Sequence, residues 1–192
     1  DADLEIHRRR LQLALTAARR AGRLTGDLLD MARLDAGRFT VRTEPCAVRD
    51  LLEEAAEAVR ADAADAGVDL AVEAPDGLPP VAADKDRVLQ LLGNLLTNAV
   101  RFTPGGGRVA LRAEAGPRQV QMVVQDTGPG IPPEERVRVF ERFWQGRRAS
   151  RQGAGLGLPI ARGIVEAHGG KIWIESPPEG GTRVCFTLPA AS

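Results

Sequence analysis

Cysteine is scarce, with Cys46 and Cys185 far apart and in no CxxC pattern, so neither a disulfide framework nor a zinc site is expected. A reducing, cytoplasmic compartment fits best. No run of about 18 apolar residues exists, which excludes a membrane-spanning helix from this stretch of chain. Charge of one sign is also missing: 26 Lys plus Arg balance 26 Asp plus Glu, so the totals do not point to a nucleic-acid partner. The chain opens DADLEIHRRR, with no Met and no signal-peptide pattern, and reads as a piece of a longer protein. What is present is 192 residues, 43% hydrophobic and 27% charged, the composition of a soluble globular domain with an appendage.

Two unequal parts follow. Leu4 to Ala36 holds no proline, and Leu4, Leu11, Ala14, Ala18, Ala21, Leu28 and Ala32 recur on one helical face that wants a partner. Gly37 supplies the stop, which places residues 1–38 in a helical segment and 39–192 in a second domain. In the latter, the pattern predicts a strand at Phe39–Thr43, a helix at Val48–Ala66 ended by Gly67, and a strand at Val68–Glu73. Asp84 then caps a helix carrying Val88, Leu91, Leu92, Leu95, Leu96 and Ala99. Strands at Arg108–Ala113 and Gln119–Gln125 turn at Ala115-Gly116-Pro117, and a short helix is expected over Glu134–Phe143. A helix over Leu156–His168 and strands at Lys171–Glu175 and Thr182–Leu188 complete the pattern. The expected class is α+β, a two-layer sandwich of a mixed or antiparallel sheet with helices on one face, preceded by a long helix.

Four stretches carry chemistry. Asn94 and Asn98 lie four apart, so both amides leave one helical face amid core leucines. A neutral carbonyl oxygen suits a magnesium ion that keeps waters and is already surrounded by phosphates; alternatively, the amides satisfy backbone groups at a helix end. Asp126-Thr-Gly-Pro-Gly-Ile131 ends an apolar strand, where a carboxylate can accept from an exocyclic amine such as that of adenine while Gly128 and Gly130 admit a ring; an ordinary strand-to-helix turn uses the same residues. Gly153-Ala-Gly155-Leu156-Gly157-Leu158 opens a helix whose N-terminus would attract phosphate. It neither begins a βαβ unit nor ends in Gly-Lys-Ser/Thr, so it is no dinucleotide fingerprint or Walker A loop. Arg142, Arg147, Arg148 and Arg151 lie between, able to close over a triphosphate or simply to face solvent.

Their order is the specific signal. Asn94-Leu-Leu-Thr-Asn98-Ala-Val-Arg-Phe-Thr103, Asp126-Thr-Gly-Pro-Gly-Ile131, Phe140-Glu-Arg-Phe143, Gly153-Ala-Gly-Leu-Gly-Leu158 and Gly180-Gly-Thr182 together resemble the asparagine, glycine and phenylalanine boxes of sensor histidine kinases. Asp27-Leu-Leu-Asp-Met-Ala-Arg-Leu-Asp-Ala-Gly37 resembles the end of the second helix of that family's dimerisation and phosphotransfer hairpin.

The resemblance implies a Bergerat-type ATP-binding fold with ATP and Mg2+ as ligands. It places Asn98 on magnesium and Asn94 beside it, with Arg101, where the family often has Lys, near the phosphates. Asp126 would hold the adenine amine, with Gly128, Gly130 and Ile131 forming the adenine loop. Phe140 and Phe143 would anchor the lid, Gly153, Gly155, Leu156, Gly157 and Leu158 would line the phosphates, and Thr182 would support Asp126. It also implies a homodimer in the full-length protein and a response regulator receiver domain as partner, and is compatible with a parent anchored in the inner membrane. The acceptor pattern H-E-x-R-T-P is missing, and neither His7 nor His168 sits in one, so the phosphoacceptor is expected outside this chain. An ATP-binding regulatory or dimerisation module is the alternative reading. Chaperones, topoisomerases and mismatch-repair ATPases of the same superfamily usually carry a catalytic Glu where Asn94 stands.

Overall fold

Seven apolar residues of the central helix, Val88, Leu91, Leu92, Leu95, Leu96, Ala99 and Val100, repeat at three- and four-residue steps, and all are buried. Burying each leucine side chain stabilises the fold by about 1.5–3 kcal/mol before ordering costs, so this helix anchors the domain. A computed structural model describes residues 2–144 and 154–191. Its elements in chain order are α1 (Ala2–Asp35), β1 (Glu44–Cys46), α2 (Val48–Asp65), β2 (Asp69–Glu73), β3 (Val81–Ala83) and α3 (Lys85–Phe102). There follow β4 (Arg108–Gly116), β5 (Gln119–Asp126), α4 (Gly157–Ala167), β6 (Ile172–Glu175) and β7 (Arg183–Pro189).

The chain divides into two compact units, residues 1–39 and 40–192. The first is α1, closed by a Schellman turn: Gly37 takes φ 62° and its N–H reaches the Leu34 carbonyl, while Arg38 N–H reaches that of Arg33. On this helix Leu11 and Leu28 are 70% and 53% exposed.

The second unit is a mixed α/β sandwich. Five strands lie in the order β2-β4-β5-β7-β6, with β2 and β4 parallel and every other neighbour antiparallel. Alternation puts Val109, Leu111, Val120, Met122, Val124, Phe186 and Leu188 on the face beneath the helices, all essentially excluded from water. Helix α3 packs between α2 and α4. The opposite face carries an ion-pair ladder, with Glu73 taking both Arg108 at 2.9 Å and Arg112 at 2.7 Å. A separate β1-β3 antiparallel pair sits at the start of α3.

Several expectations need correction. The strand expected at Phe39–Thr43 is irregular chain, and pairing begins at Glu44, where β3 supplies a partner. Strand β3, three residues after Pro79-Pro80, is too short to show a period and was not anticipated. The hairpin turn falls on Pro117-Arg118, since β4 runs on to Gly116 opposite Gln119. Proline cannot take a positive φ, so Arg118 does, at 60°. The helix expected over Glu134–Phe143 is instead a run of turns closed by three-residue hydrogen bonds such as Arg138 N–H to Glu135 O and Glu141 N–H to Arg138 O. β-Branched Val137 and Val139 weaken a helix there, and Phe143, at φ 57°, leaves the helical region to bond Gly155 O.

Candidate functional site

Helix α3 is the spine on which the site is assembled. Asp84 caps it by accepting from the Arg87 N–H at 3.3 Å, and its other carboxylate oxygen accepts from the Arg42 N–H. Midway, Asn94 and Asn98 stand half-buried on the side where α4 begins. The Asn94 amide donates to the Gly157 carbonyl at 3.4 Å, and a Cβ on Gly157 would stand 3.7–3.8 Å from atoms of both asparagines. The Asn98 carbonyl oxygen accepts from the Arg101 guanidinium at 3.1 Å. Arg101 also stacks 4.4 Å over the Phe102 ring, and burial lowers its pKa from the ordinary arginine value.

At the C-terminal end of α3 the Asp126 loop arrives. Asp126 is 7% exposed, the last residue of β5. Its Oδ1 accepts from the Gly128 N–H at 2.8 Å and the Thr182 N–H at 3.1 Å, while its own N–H donates to the Thr182 carbonyl. Burial raises the carboxyl pKa above the ordinary value of 3.8, and the bonds from Gly128 and Thr182 oppose that shift. The backbone packs so closely that side chains are refused. A Cβ on Gly128 would lie 2.8 Å from the Phe102 carbonyl oxygen, one on Gly130 3.0 Å from the Gly181 oxygen, and one on Gly181 only 1.9 Å from the Asp126 oxygen. Eight residues separate Asn94 from Phe102, about 12 Å along the helix, so the amide pair and the carboxylate loop stand about that far apart along α3.

The remaining residues lie on the approach to α4. Ile131 is half-buried, and its carbonyl accepts from Arg136 Nε at 3.0 Å. Phe140 is half-buried, while Phe143 is 65% exposed and donates its N–H to the Gly155 carbonyl. Gly155, at φ 68°, admits no side chain, because a Cβ would meet the Trp144 oxygen at 2.8 Å. Leu156 is buried and precedes α4 without any side-chain cap, leaving the first-turn N–H groups of Gly157 and Leu158 for a ligand or water. Gly153, Arg147, Arg148 and Arg151 lie outside the described residues. Among the described residues, no group of three or more His, Cys, Asp or Glu side chains could hold a metal by itself. No described helix is long and apolar enough to cross a membrane.

The structure thus brings Asn94, Asn98, Arg101 and Gly157 together, and separately Asp126, Gly128, Gly130 and Thr182, with α3 joining the two groups. Sequence reasoning missed the reach of His168. Placed at the C-terminus of α4, it puts Nδ1 2.8 Å from the Ile164 carbonyl, as a terminal histidine can, but its Nε2 also accepts from the Asp84 N–H at 3.0 Å. No local pattern reports a contact spanning 84 residues.

Comparison with known proteins adds to this geometry. The family model for histidine kinase-, DNA gyrase B- and HSP90-like ATPases matches residues 83–192. The sensor protein DivL of Caulobacter vibrioides is 39% identical over 189 residues, 98% of this chain and 24% of that protein. The adaptive-response sensory kinase SasA of Synechocystis is 35% identical, over 87% of this chain and 44% of its own length. The chain therefore spans less than half the length of these curated relatives. The crystal structure of full-length ShkA in complex with AMPPNP superposes with a TM-score of 0.81 at 36% identity, over 92% of this chain and 38% of that one. Histidine kinase ThkA in complex with the response regulator protein TrrA gives 0.74 at 26% identity, over 91% of this chain and 49% of that one. With the family model matched over residues 83–192 and these likenesses in sequence and fold, the chain belongs to the family of histidine kinase-, DNA gyrase B- and HSP90-like ATPases, in the form found in sensor histidine kinases.

Proposed function

We propose that this chain is the ATP-binding catalytic portion of a sensor histidine kinase, which binds ATP with magnesium and donates the γ-phosphate to a histidine for relay to a response regulator. The observation that carries the reading is the buried Asp126 carboxylate at the floor of a glycine loop. Two backbone amides fix its orientation, and a carboxylate retains further acceptor capacity for an exocyclic amine. Gly128 and Gly130 let the loop backbone pack directly on Phe102 and Gly181 around Asp126, and the uncapped start of α4 offers amides and a partial positive charge to phosphate.

The donor set near Asn98 fits magnesium in a restricted way. One neutral amide oxygen cannot hold the ion alone, but it suits an octahedral ion that keeps waters and takes phosphate oxygens from the nucleotide. Bound there, the ion supplies charge neutralisation on the phosphates. The chain's own part is positioning: Asn94 and Asn98 face the phosphate end, Arg101 adds a cation, and Phe140 and Phe143 flank the entry to the glycine stretch. An imidazole nitrogen would attack the γ-phosphorus in line, and the bond to the bridging oxygen would break to release ADP.

His168 is no candidate acceptor, since it is buried with both ring nitrogens engaged. His7 sits in no H-E-x-R-T-P pattern, so the acceptor is read as lying outside this chain. Helix α1 reads as the second helix of a dimerisation hairpin, through which two copies would pair, and the ThkA complex supports a response regulator receiver domain as the partner.

Calorimetric titration of a non-hydrolysable ATP analogue tests the site. The folded chain binds it, Asp126→Asn weakens binding with and without magnesium, and Asn98→Ala removes the magnesium-dependent increment alone. Absence of binding by the folded, unmodified chain overturns the reading.

A further inference from the structure

Helices α3 and α4 lie side by side and run in opposite directions, because the start of α4 meets the middle of α3 while its end meets the residue that caps α3. Two hydrogen bonds tie the pair: Asn94 to the Gly157 carbonyl at one end, and the Asp84 N–H to His168 Nε2 at the other. Ten residues separate Asp84 from Asn94 and eleven separate Gly157 from His168, about 15 Å and about 16 Å along the respective axes, so both ties close in one register.

The chemistry of the second tie is specific. Asp84 N–H is a donor, so Nε2 is the unprotonated nitrogen, and the proton sits on Nδ1, directed at the Ile164 carbonyl. His168 is 6% exposed, and the ring's one acceptor is committed to a residue on another element. Asp84 is itself fixed, its carboxylate accepting from the Arg42 and Arg87 N–H groups. His168 therefore joins the C-terminus of α4 to a locked point at the head of α3.

We propose that His168 is a positioning residue for the nucleotide site: its Nε2 bond to Asp84 sets the longitudinal register of α4 against α3, and so holds the Gly157 backbone at Asn94 and Asn98. The effect on nucleotide rests on the reading of that site as an ATP site. The effect on register does not.

The two ring nitrogens can be separated by substitution. The amide of Gln at 168 reaches the place of Nε2 and can keep the acceptor for Asp84. That of Asn reaches only the place of Nδ1, keeping the bond to Ile164. A residue that merely caps α4 would be replaced better by Asn, a register-setting residue by Gln.

With no nucleotide present, the Gly157 backbone amide and Asn94 side-chain resonances move in His168→Asn and stay near their unmodified positions in His168→Gln. Titration of the non-hydrolysable ATP analogue follows the same order, with His168→Asn about tenfold weaker and His168→Gln within about threefold, a coupling within the range of linked sites. Equal behaviour of the two variants, or the reverse order, overturns the proposal. If the resonances follow the expected order but the unmodified chain binds no analogue, the register function stands and the ATP-site reading falls.

Should His168→Asn fail to fold, linkage offers a second test in the unmodified protein. Bound analogue must strengthen the tie in return, so exchange of the Asp84 amide slows by more than that of sheet amides such as Val124. Equal slowing overturns the proposal.

Discussion

A carboxylate buried at the floor of a site is costly unless its charge is met, and Asp126 meets it with two backbone amides and the threonine at 182. Burial nevertheless wins, and its pKa rises. The folded protein then holds this proton more tightly than the unfolded chain, so the contribution of Asp126 to stability falls as pH rises from about 3.8 through the raised folded value. Urea unfolding across that window shows the unmodified chain losing stability relative to Asp126→Asn as pH increases; parallel curves would refute it. Affinity for an ATP analogue moves the other way, weakening as the carboxylate is protonated. Neighbouring glycines give a sharper contrast. Gly180 and Gly181 both take positive φ, but Gly180 faces open space and Gly181 faces the Asp126 oxygen. Gly180→Ala costs about 1 kcal/mol, the ordinary price of a left-handed backbone, whereas Gly181→Ala displaces the Asp126 loop and abolishes analogue binding. Urea midpoints and calorimetry on the two variants distinguish them.

Among the elements, α3 does most to build the site, and its N-cap Asp84 is tied on three sides. Asp84→Ala removes the acceptor for Arg87 N–H and that for Arg42 N–H, and costs about 1–2 kcal/mol, measurable as a lower urea midpoint with an unchanged slope. Helix α3 was legible because its apolar residues repeat from Val88 to Val100, over more than three turns, and an Asp precedes them. The stretch from Glu134 to Phe143 was not legible. It has helical spacing but lacks a helix's partners, and its path is set by Phe143 bonding to Gly155, a residue twelve positions on. Strand β3 was equally hidden: three residues carry no period, and what makes them a strand is Glu44–Cys46 lying alongside.

At the scale of the molecule, the two units differ in what they can do alone. Both sheets, the Asp126 loop, Asn94, Asn98 and the Asp84–His168 tie all fall within residues 40–192. A chain of those residues binds the ATP analogue within about twofold of the whole; a loss of tenfold or more, about 1.4 kcal/mol, would show that the first unit takes part in the site. Helix α1 exposes Leu11 and Leu28, and the pairing read for it predicts concentration-dependent association in sedimentation. A monomer at every concentration removes that pairing.

The sequence by itself determined the helix faces, the glycine stops at residues 37 and 67, the strands of the sheet within a few residues, and the order of boxes that named the family. These are set by local backbone preference and by periods of two and of three to four residues, which neighbouring positions carry. Tertiary structure alone decided the strand order, the parallel pairing of β2 with β4, the packing of Gly181 on Asp126 and the reach of His168 to Asp84. Each is a contact between residues far apart in the chain, selected by how the sheet and helices close on one core, and no local pattern encodes such a distance.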